Sequence, residues 1–378
     1  MLLALLATGI ATFAMIYVVQ PLLPLVSLEL EINAARASLL LSVSTFAIAV
    51  AVLPLARLSE RFGRARLIVW GLAAAVGAGV IAALAPSFAL LLLARAAQGA
   101  ALAVVPAAAL AWVTENIDGP WITRVAGLYI AGTTVGGMGG RVLGGLIADL
   151  LTWRTAMLAV ALLGAALTAA AFLLLPRSAG NRPHRAPRRT TARATRAGRD
   201  ARMRLYLVAA LGMAMFVGVY NVIAYRTHAP PFLLGTGLVS MFYLTYLAGT
   251  LTSSLAGRLE RRVGLRTTTL LGMAACLAGV LLTLPNLLGL IWLGLAVLAA
   301  GFFMVHAVAS ANSARLNPRP SDGSAAYTFA YYFGSSIGGV ALGQAWDVGA
   351  WGGTALAAGG LIAATAVVAV GLPARVED

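Results

Sequence analysis

The 378-residue sequence contains no lysine; all 27 of its basic residues are arginine. A phosphate-binding loop of the Gly-x4-Gly-Lys-Ser/Thr type is therefore excluded, and with it ATP-driven work within this chain. A single cysteine, Cys276, excludes an internal disulfide and implies no redox role. Acidic residues number 12 and histidines three. They form no metal-ligand cluster, and no nucleophile elbow is present, so an integral-membrane enzyme lacks its chemistry and no cofactor is expected. Charged residues amount to only 10% of the chain.

Apolar residues make up 61% and mean hydropathy is +0.90. A soluble domain carries roughly half apolar residues. The excess falls in runs of about twenty or more, the length that crosses a ~30 Å hydrocarbon core as helix. Lipid is therefore the expected solvent and partner. The first run, from Leu2 to about Ser27, has no basic residues before it and exceeds the apolar length of a cleavable signal. Hydropathy predicts twelve helices near 2–27, 36–56, 66–86, 88–112, 123–147, 154–176, 204–225, 236–257, 267–286, 288–311, 325–346 and 352–373. Two of the turns rest on short breakers, residues 85–87 and Pro285-Asn286.

Arginine placement orients the chain. With the N-terminus in the cytoplasm, 22 arginines face the cytoplasm and three (Arg36, Arg154, Arg226) face outward. Arg95 and Arg141 remain within the bilayer. Both termini are then cytoplasmic. Trp153 and Trp351 are expected at the outer interface, Trp112 and Trp121 at the inner one.

Residues 177–203 are polar and hold nine arginines, ten counted through Arg204. They read as a cytoplasmic linker near anionic headgroups. Nucleic-acid binding is not expected of a tethered loop with almost no aromatics. The linker separates a six-helix bundle, 1–176, from a second, 204–378. The two resemble each other: RLSERFG at 57–63 answers RLERRVG at 258–264, GTTVGG at 132–137 answers GSSIGG at 334–339, and Asp149 and Trp153 answer Asp347 and Trp351. Parallel repeats of six helices imply two bundles about an axis along the membrane normal.

These motifs resemble the major facilitator superfamily over the whole chain. The loop ARLSERFGRAR, 56–66, is similar to that family's signature loop, with Ala56 for Gly, Glu60 for Asp and Ala65 for a basic residue. Gly63 permits a tight reversal. The resemblance implies a conformational lock made by Glu60, Arg61, Gly63 and Arg64. RAAQG, 95–99, resembles the family's Arg-x-x-Gln-Gly signature, which singles out Arg95 and Gln98. Gly127, Gly136, Gly140, Gly144 and Gly145 match the antiporter signature Gly-x8-Gly-x3-Gly-Pro-x2-Gly-Gly at each glycine, with Arg141 at the Pro position. Such glycines let helices approach closely. Together with GGMGGR at 136–141 and the segment after His306, this resembles YnfM-type bacterial inner-membrane transporters.

The resemblance implies a fold of twelve transmembrane helices in two six-helix bundles related by a pseudo-two-fold axis, working as a monomer. It implies that helices 1, 4, 7 and 10 line a cavity. They offer Tyr17, Gln20, Tyr220, Asn221, Tyr225 and His306, while helices 8 and 11 add Tyr243, Tyr246, Tyr327 and Tyr331. Tyrosines give apolar faces with hydroxyl tips, suited to amphipathic solutes; packing between helices explains any one of them equally well. No carboxylate lies deep in a span, so His306 is the titratable group for proton coupling. Arg95 and Arg141 make the interior positive, which favours an anionic or neutral polar substrate. The expected function is secondary transport of a small organic solute by alternating access, as proton-coupled efflux; uptake of a small metabolite and a non-transporting membrane receptor or scaffold are the alternatives.

Overall fold

The computed structural model of the chain describes residues 2–117, 121–174 and 196–375, and every regular element among them is helical. The helices are α1 (Leu2–Tyr17), α2 (Leu23–Glu29), α3 (Ala34–Phe62), α4 (Arg64–Leu84), α5 (Phe88–Leu102), α6 (Val104–Asn116), α7 (Trp121–Leu150), α8 (Trp153–Leu174), α9 (Arg196–His228), α10 (Thr236–Ser240), α11 (Tyr246–Val263), α12 (Leu265–Leu282), α13 (Leu288–Arg315) and α14 (Pro320–Val370).

Prolines explain the interruptions. Between α1 and α2, Pro21 and Pro24 withhold the N–H groups that α-helix would need, and a short 3-10 turn over Gln20–Leu22 fills the gap. Pro106 does the same to the carbonyl four residues before it, where α5 gives way to α6. Ser87 caps α5, its hydroxyl accepting from the Leu90 N–H at 3.3 Å.

Among the described residues, ten helical runs are long and apolar enough to cross a bilayer. One of them, Asp322–Val370, has non-helical dihedrals at Gly349 and Ala350 and is two helices end to end. The 30-residue α7 is also of spanning length, made less apolar by its glycines and Arg141. The break at 349–350 falls where the sequence predicts a turn. Residues 196–203, by contrast, are expected in the linker and instead form the first two turns of α9. Residues 177–195 of that linker lie outside the described residues.

The helices gather into two compact units. Unit 1 comprises the described residues of Met1–Ile32, Leu39–Ala186 and Gly235–Ser240; unit 2 those of Asn33–Ser38, Pro187–Leu234 and Met241–Asp378. Each is organised about one glycine-lubricated helix pair. In unit 1, Gly132, Gly136 and Gly140 of α7 face Leu6, Ile10 and Ala14 of α1, and Gly144 faces Val18 just beyond it, so close that a Cβ on Gly140 would stand 2.5 Å from the Ala14 Cα. In unit 2, Gly334 and Gly338 of α14 face Ala210 and Ala214 of α9 in the same way. Stripes of small residues every fourth position bring helix backbones into van der Waals contact where no water is present to drive burial.

Candidate functional site

Two buried arginines dominate unit 1, and their surroundings differ. Arg95 is fully buried on α5. Its Nε donates to the Leu40 carbonyl at 3.1 Å, one Nη to the Met15 carbonyl at 3.0 Å and to the Gln98 amide oxygen, and the other Nη to the Ile16 carbonyl at 2.6 Å. Met15 and Ile16 belong to the last turn of α1, whose carbonyls have no partner within the helix. Arg95 supplies it. Gln98 completes the network by donating to the Ala75 carbonyl of α4 at 3.1 Å. This arginine thus ties α1, α3, α4 and α5 together at the point where the first helix breaks.

Arg141 on α7 lies against the other side of that break. Its Nε donates to the Gln20 side-chain oxygen at 2.7 Å and its Nη1 to the Gly137 carbonyl at 2.6 Å. Its guanidinium carbon sits 4.0 Å from the centre of the Tyr17 ring, in cation–π stacking. Tyr17, Gln20 and Arg141 are all buried. The broken helix and the glycine neighbour at position 137 are what let a side chain this large fit between α1 and α7.

Unit 2 carries aromatic rings where unit 1 carries cations. Phe216 of α9 stacks on Phe302 of α13 at 4.1 Å and touches Tyr220 and Tyr246 at 4.9 and 5.1 Å. Tyr220 meets Tyr246 edge-on at 4.7 Å and lies 5.7 Å from Tyr243. The hydroxyls are anchored: Tyr220 donates to the Leu295 carbonyl at 3.1 Å and stands 2.6 Å from the Thr245 hydroxyl, and Tyr243 donates to the Tyr220 carbonyl at 3.1 Å. The array of rings continues through Phe302 and Phe303 to His306, whose Nδ1 is 2.9 Å from the Tyr327 hydroxyl and whose ring is 4.8 Å from Tyr331. Asn221 is fully buried beside Tyr220 on α9.

The signature loop is built as a turn. Gly63 has φ +88°, a conformation that side chains rarely adopt, and its repeat partner Gly264 has φ +86°. Arg64 makes a two-oxygen contact with Glu115 of α6, its Nε donating at 2.9 and 2.8 Å. Glu60 lies 3.7 Å from the same arginine and is largely exposed. Sequence reasoning named Glu60 and missed Glu115; the signal available was a rare acid at the end of the fourth predicted helix, beside the loop's arginines. In unit 2 the equivalent end of α11 presents Glu260, which accepts from the Asn312 side chain at 2.7 Å.

The glycine signature divides. Gly136, Gly140 and Gly144 join the stripe against α1, Gly145 instead meets Thr236 and Ser240, and a Cβ on Gly127 would find open space. The tryptophans expected as an interfacial belt stand at or near helix ends, and three of the four are covered by protein. Trp112 is fully buried. Trp153 donates to Glu29 at 2.6 Å and Trp351 to the Thr283 hydroxyl at 3.2 Å, while Trp121 is exposed.

A chain of membrane-length helices in two repeat-related halves, glycine-packed and without lysine, with two buried arginines gathered on a helix break, is a polytopic membrane transporter. The sequence profile of the Major Facilitator Superfamily matches residues 5–341, and the chain belongs to that family. It is 34% identical over 371 residues to the inner membrane transport protein YnfM of Escherichia coli, covering 97% of this chain and 88% of that protein. It is 32% identical over 357 residues to the MFS-type transporter YybF of Bacillus subtilis, covering 91% and 86%. Among solved structures, the nucleoside transporter NupG superposes with a TM-score of 0.75 at 13% identity, covering 98% of this chain and 97% of that one. It shares the fold.

Proposed function

We propose that the protein is a proton-coupled secondary transporter that exports a small anionic or neutral polar organic solute by alternating access, as a monomer in a bacterial inner membrane with both termini in the cytoplasm. The observation that carries this reading is the Arg141–Gln20–Tyr17 cluster at the break of the first helix. A guanidinium in a low-dielectric setting attracts an anion far more strongly than in water. Its planar fork suits carboxylate and phosphate oxygens, and Gln20 and Tyr17 fix its orientation. Arg95, with its donors engaged by four oxygens, acts as a positioning residue for that break.

The aromatic array of unit 2 supplies apolar faces with hydroxyl tips for the body of the solute. His306 with Tyr327 is the proton-carrying candidate, because no carboxylate lies deep in a span. Export follows from the glycine signature, and inner-membrane placement from the likeness to YnfM.

The test is solute flux in proteoliposomes under an imposed pH gradient, with matched panels of organic anions, neutral polar compounds and lipophilic cations. Anion or neutral flux against the gradient, lost in Arg141→Ala and uncoupled from pH in His306→Gln, is expected. Flux of lipophilic cations that survives Arg141→Ala would overturn the substrate assignment.

A further inference from the structure

A groove of about 290 Å³ lies wholly on unit 1 and shares no lining residue with the buried arginine cluster. It is lined by residues 83–86, at and after the end of α4, and by Arg154, Thr155 and Leu158 in the first two turns of α8. Small-molecule sites start at about 300 Å³, so the groove takes part of a larger molecule and not the whole of one. The helices α4 and α8 have 21 and 22 residues, each enough for one crossing. Their shared end therefore stands at the level of lipid headgroups.

One wall of the groove is an ion pair. Arg154 Nη2 is 3.1 Å from Glu29 Oε1, and Nε donates to the same oxygen at 3.2 Å. Nη1 donates to the Ala83 and Ala85 carbonyls at 3.3 and 2.6 Å. A guanidinium has five N–H groups. Four are engaged among the described residues, which leaves one on Nη2. Glu29 accepts from the Trp153 indole through its other oxygen at 2.6 Å. Both charged side chains remain open to a ligand, at 30% and 47% exposed. The apolar wall runs outward from them. Leu84 is 67% exposed, and Leu28 and Leu151, chain neighbours of Glu29 and Thr152, are 80% and 65% exposed. At the end of a spanning helix such side chains face acyl chains.

The acid is not needed to close the helix end. Unit 2 closes the end of α12 with Arg226, which donates to the carbonyls of Thr283, Leu284 and Pro285 and to the Asn286 side chain, and to no acid among the described residues. Glu29 thus adds a negative charge that the repeat does without.

We infer that this groove binds a zwitterionic phospholipid with a primary ammonium headgroup. The phosphate rests on Arg154, the ammonium on Glu29, and the upper part of one acyl chain lies against Leu84, Pro86 and Leu158. The two charges select this headgroup. An anionic headgroup brings its phosphate to Arg154 but offers Glu29 no cation, and like charges set side by side are unfavourable. A quaternary ammonium has no N–H to donate to the carboxylate, whereas a primary ammonium has three. The inference concerns lipid and stands whatever solute the protein moves.

The test is native mass spectrometry of the purified full-length protein in detergent, titrated with phosphatidylethanolamine, phosphatidylcholine and phosphatidylglycerol of identical acyl chains. The readout is the concentration that half-fills the first lipid site. Phosphatidylethanolamine is expected to bind about five-fold more tightly than the other two, the ratio that one partly exposed ion pair contributes. Glu29→Gln should abolish that preference. Leu158→Trp fills the groove, leaves the ion pair in place and should bring phosphatidylethanolamine down to the level of the others. Neither position is buried; where one variant does not elute as folded protein, the other decides. Glycerophosphoethanolamine, the headgroup without chains, should not displace the lipid at equal concentration. Equal binding of the three lipids, or a preference that survives either folded variant, overturns the inference. Displacement by the chainless headgroup overturns it as well, since the site would then take a soluble phosphoester and not a lipid.

Discussion

The two units share a scaffold and differ in chemistry. Both are built on a glycine stripe, α1 against α7 in one and α9 against α14 in the other. Both turn at a glycine of positive φ, +88° at Gly63 and +86° at Gly264. Both close the end of their third helix with an arginine beside a tryptophan, although the arginine comes from different places. In unit 1, Arg154 donates to the Ala85 and Ala83 carbonyls after α4, next to Trp153. In unit 2, Arg226 reaches the Thr283, Leu284 and Pro285 carbonyls after α12 and lies 4.7 Å from the Trp351 ring. The parts that hold backbones together have been kept, or replaced by equivalents. The faces between them have not: Arg95 and Arg141 in one unit, a continuous array of tyrosine and phenylalanine in the other. A duplicated fold can keep its packing rules while its two halves specialise, one for charge and one for apolar surface.

The sharpest way to break that comparison is Arg95→Ala. If Arg95 is the hub of unit 1, its loss strands the carbonyls of Met15, Ile16 and Leu40 and the amide of Gln98 away from water. Each stranded polar group costs about 1–3 kcal/mol, so for the four of them a loss of roughly 4 kcal/mol or more is expected. Thermal unfolding in detergent, followed by circular dichroism, should show a large drop in midpoint. No single aromatic truncation in unit 2 should match it, because the ring cluster spreads its contacts over many residues. A drop no greater than that of Phe216→Ala would mean that each unit is held by the same kind of interaction after all.

A smaller effect tests the shared scaffold. Gly136→Val and Gly338→Val occupy corresponding places in the two stripes, and each would press a side chain onto a facing backbone, of Ile10 and of Ala214 respectively. Overpacking of this kind costs about 1–3 kcal/mol. The two should destabilise by similar amounts in the same unfolding assay, whereas Gly127→Val, which meets open space, should be close to neutral. A neutral Gly338→Val beside a damaging Gly136→Val would show that only one unit depends on its stripe.

Much of this scaffold was legible in the sequence, and for a physical reason. Twenty-residue apolar runs are forced by the bilayer, and glycine at a turn or a helix contact is forced by sterics. Pro285-Asn286 and residues 85–87 marked turns that the structure places between α12 and α13 and between α4 and α5. What was not legible is which side chain meets which. Arg95 reads in sequence as a cavity cation; its donors go to backbone carbonyls exposed by a helix break that hydropathy does not resolve. Gly127 matches the antiporter signature, yet nothing stands near it. Trp112 and Trp153 read in sequence as interface anchors; that neighbouring helices cover them, with Trp153 donating to Glu29, depends on packing that composition does not report. Glu115 was missed because its partner Arg64 lies 51 residues away in sequence, so that a rare acid at a helix end was the one signal it left.

The least of the expected effects distinguishes the two signature turns. In unit 1 the turn is tied by a charge pair, Arg64 to Glu115, at 2.8 Å and with side chains 12% and 24% exposed. In unit 2 it is tied by an ion–amide hydrogen bond, Glu260 to Asn312, with a C-terminal segment laid across the turn: the Leu265 N–H donates to the Ala374 carbonyl at 2.9 Å. A partly exposed pair is screened by salt, since the Debye length falls from about 10 Å at 0.1 M to about 3 Å at 1 M. An amide–carboxylate bond is screened less. Glu115→Gln should therefore cost about 1 kcal/mol at low salt and little at 1 M, an exposed or half-buried pair contributing no more than that. Glu260→Gln should cost a similar amount at both salt concentrations, because the replacement keeps an acceptor for Asn312 but weakens it by the loss of charge. Thermal midpoints at the two ionic strengths give the answer. Equal salt dependence in the two variants would show that the turns, despite their different partners, are held by the same force.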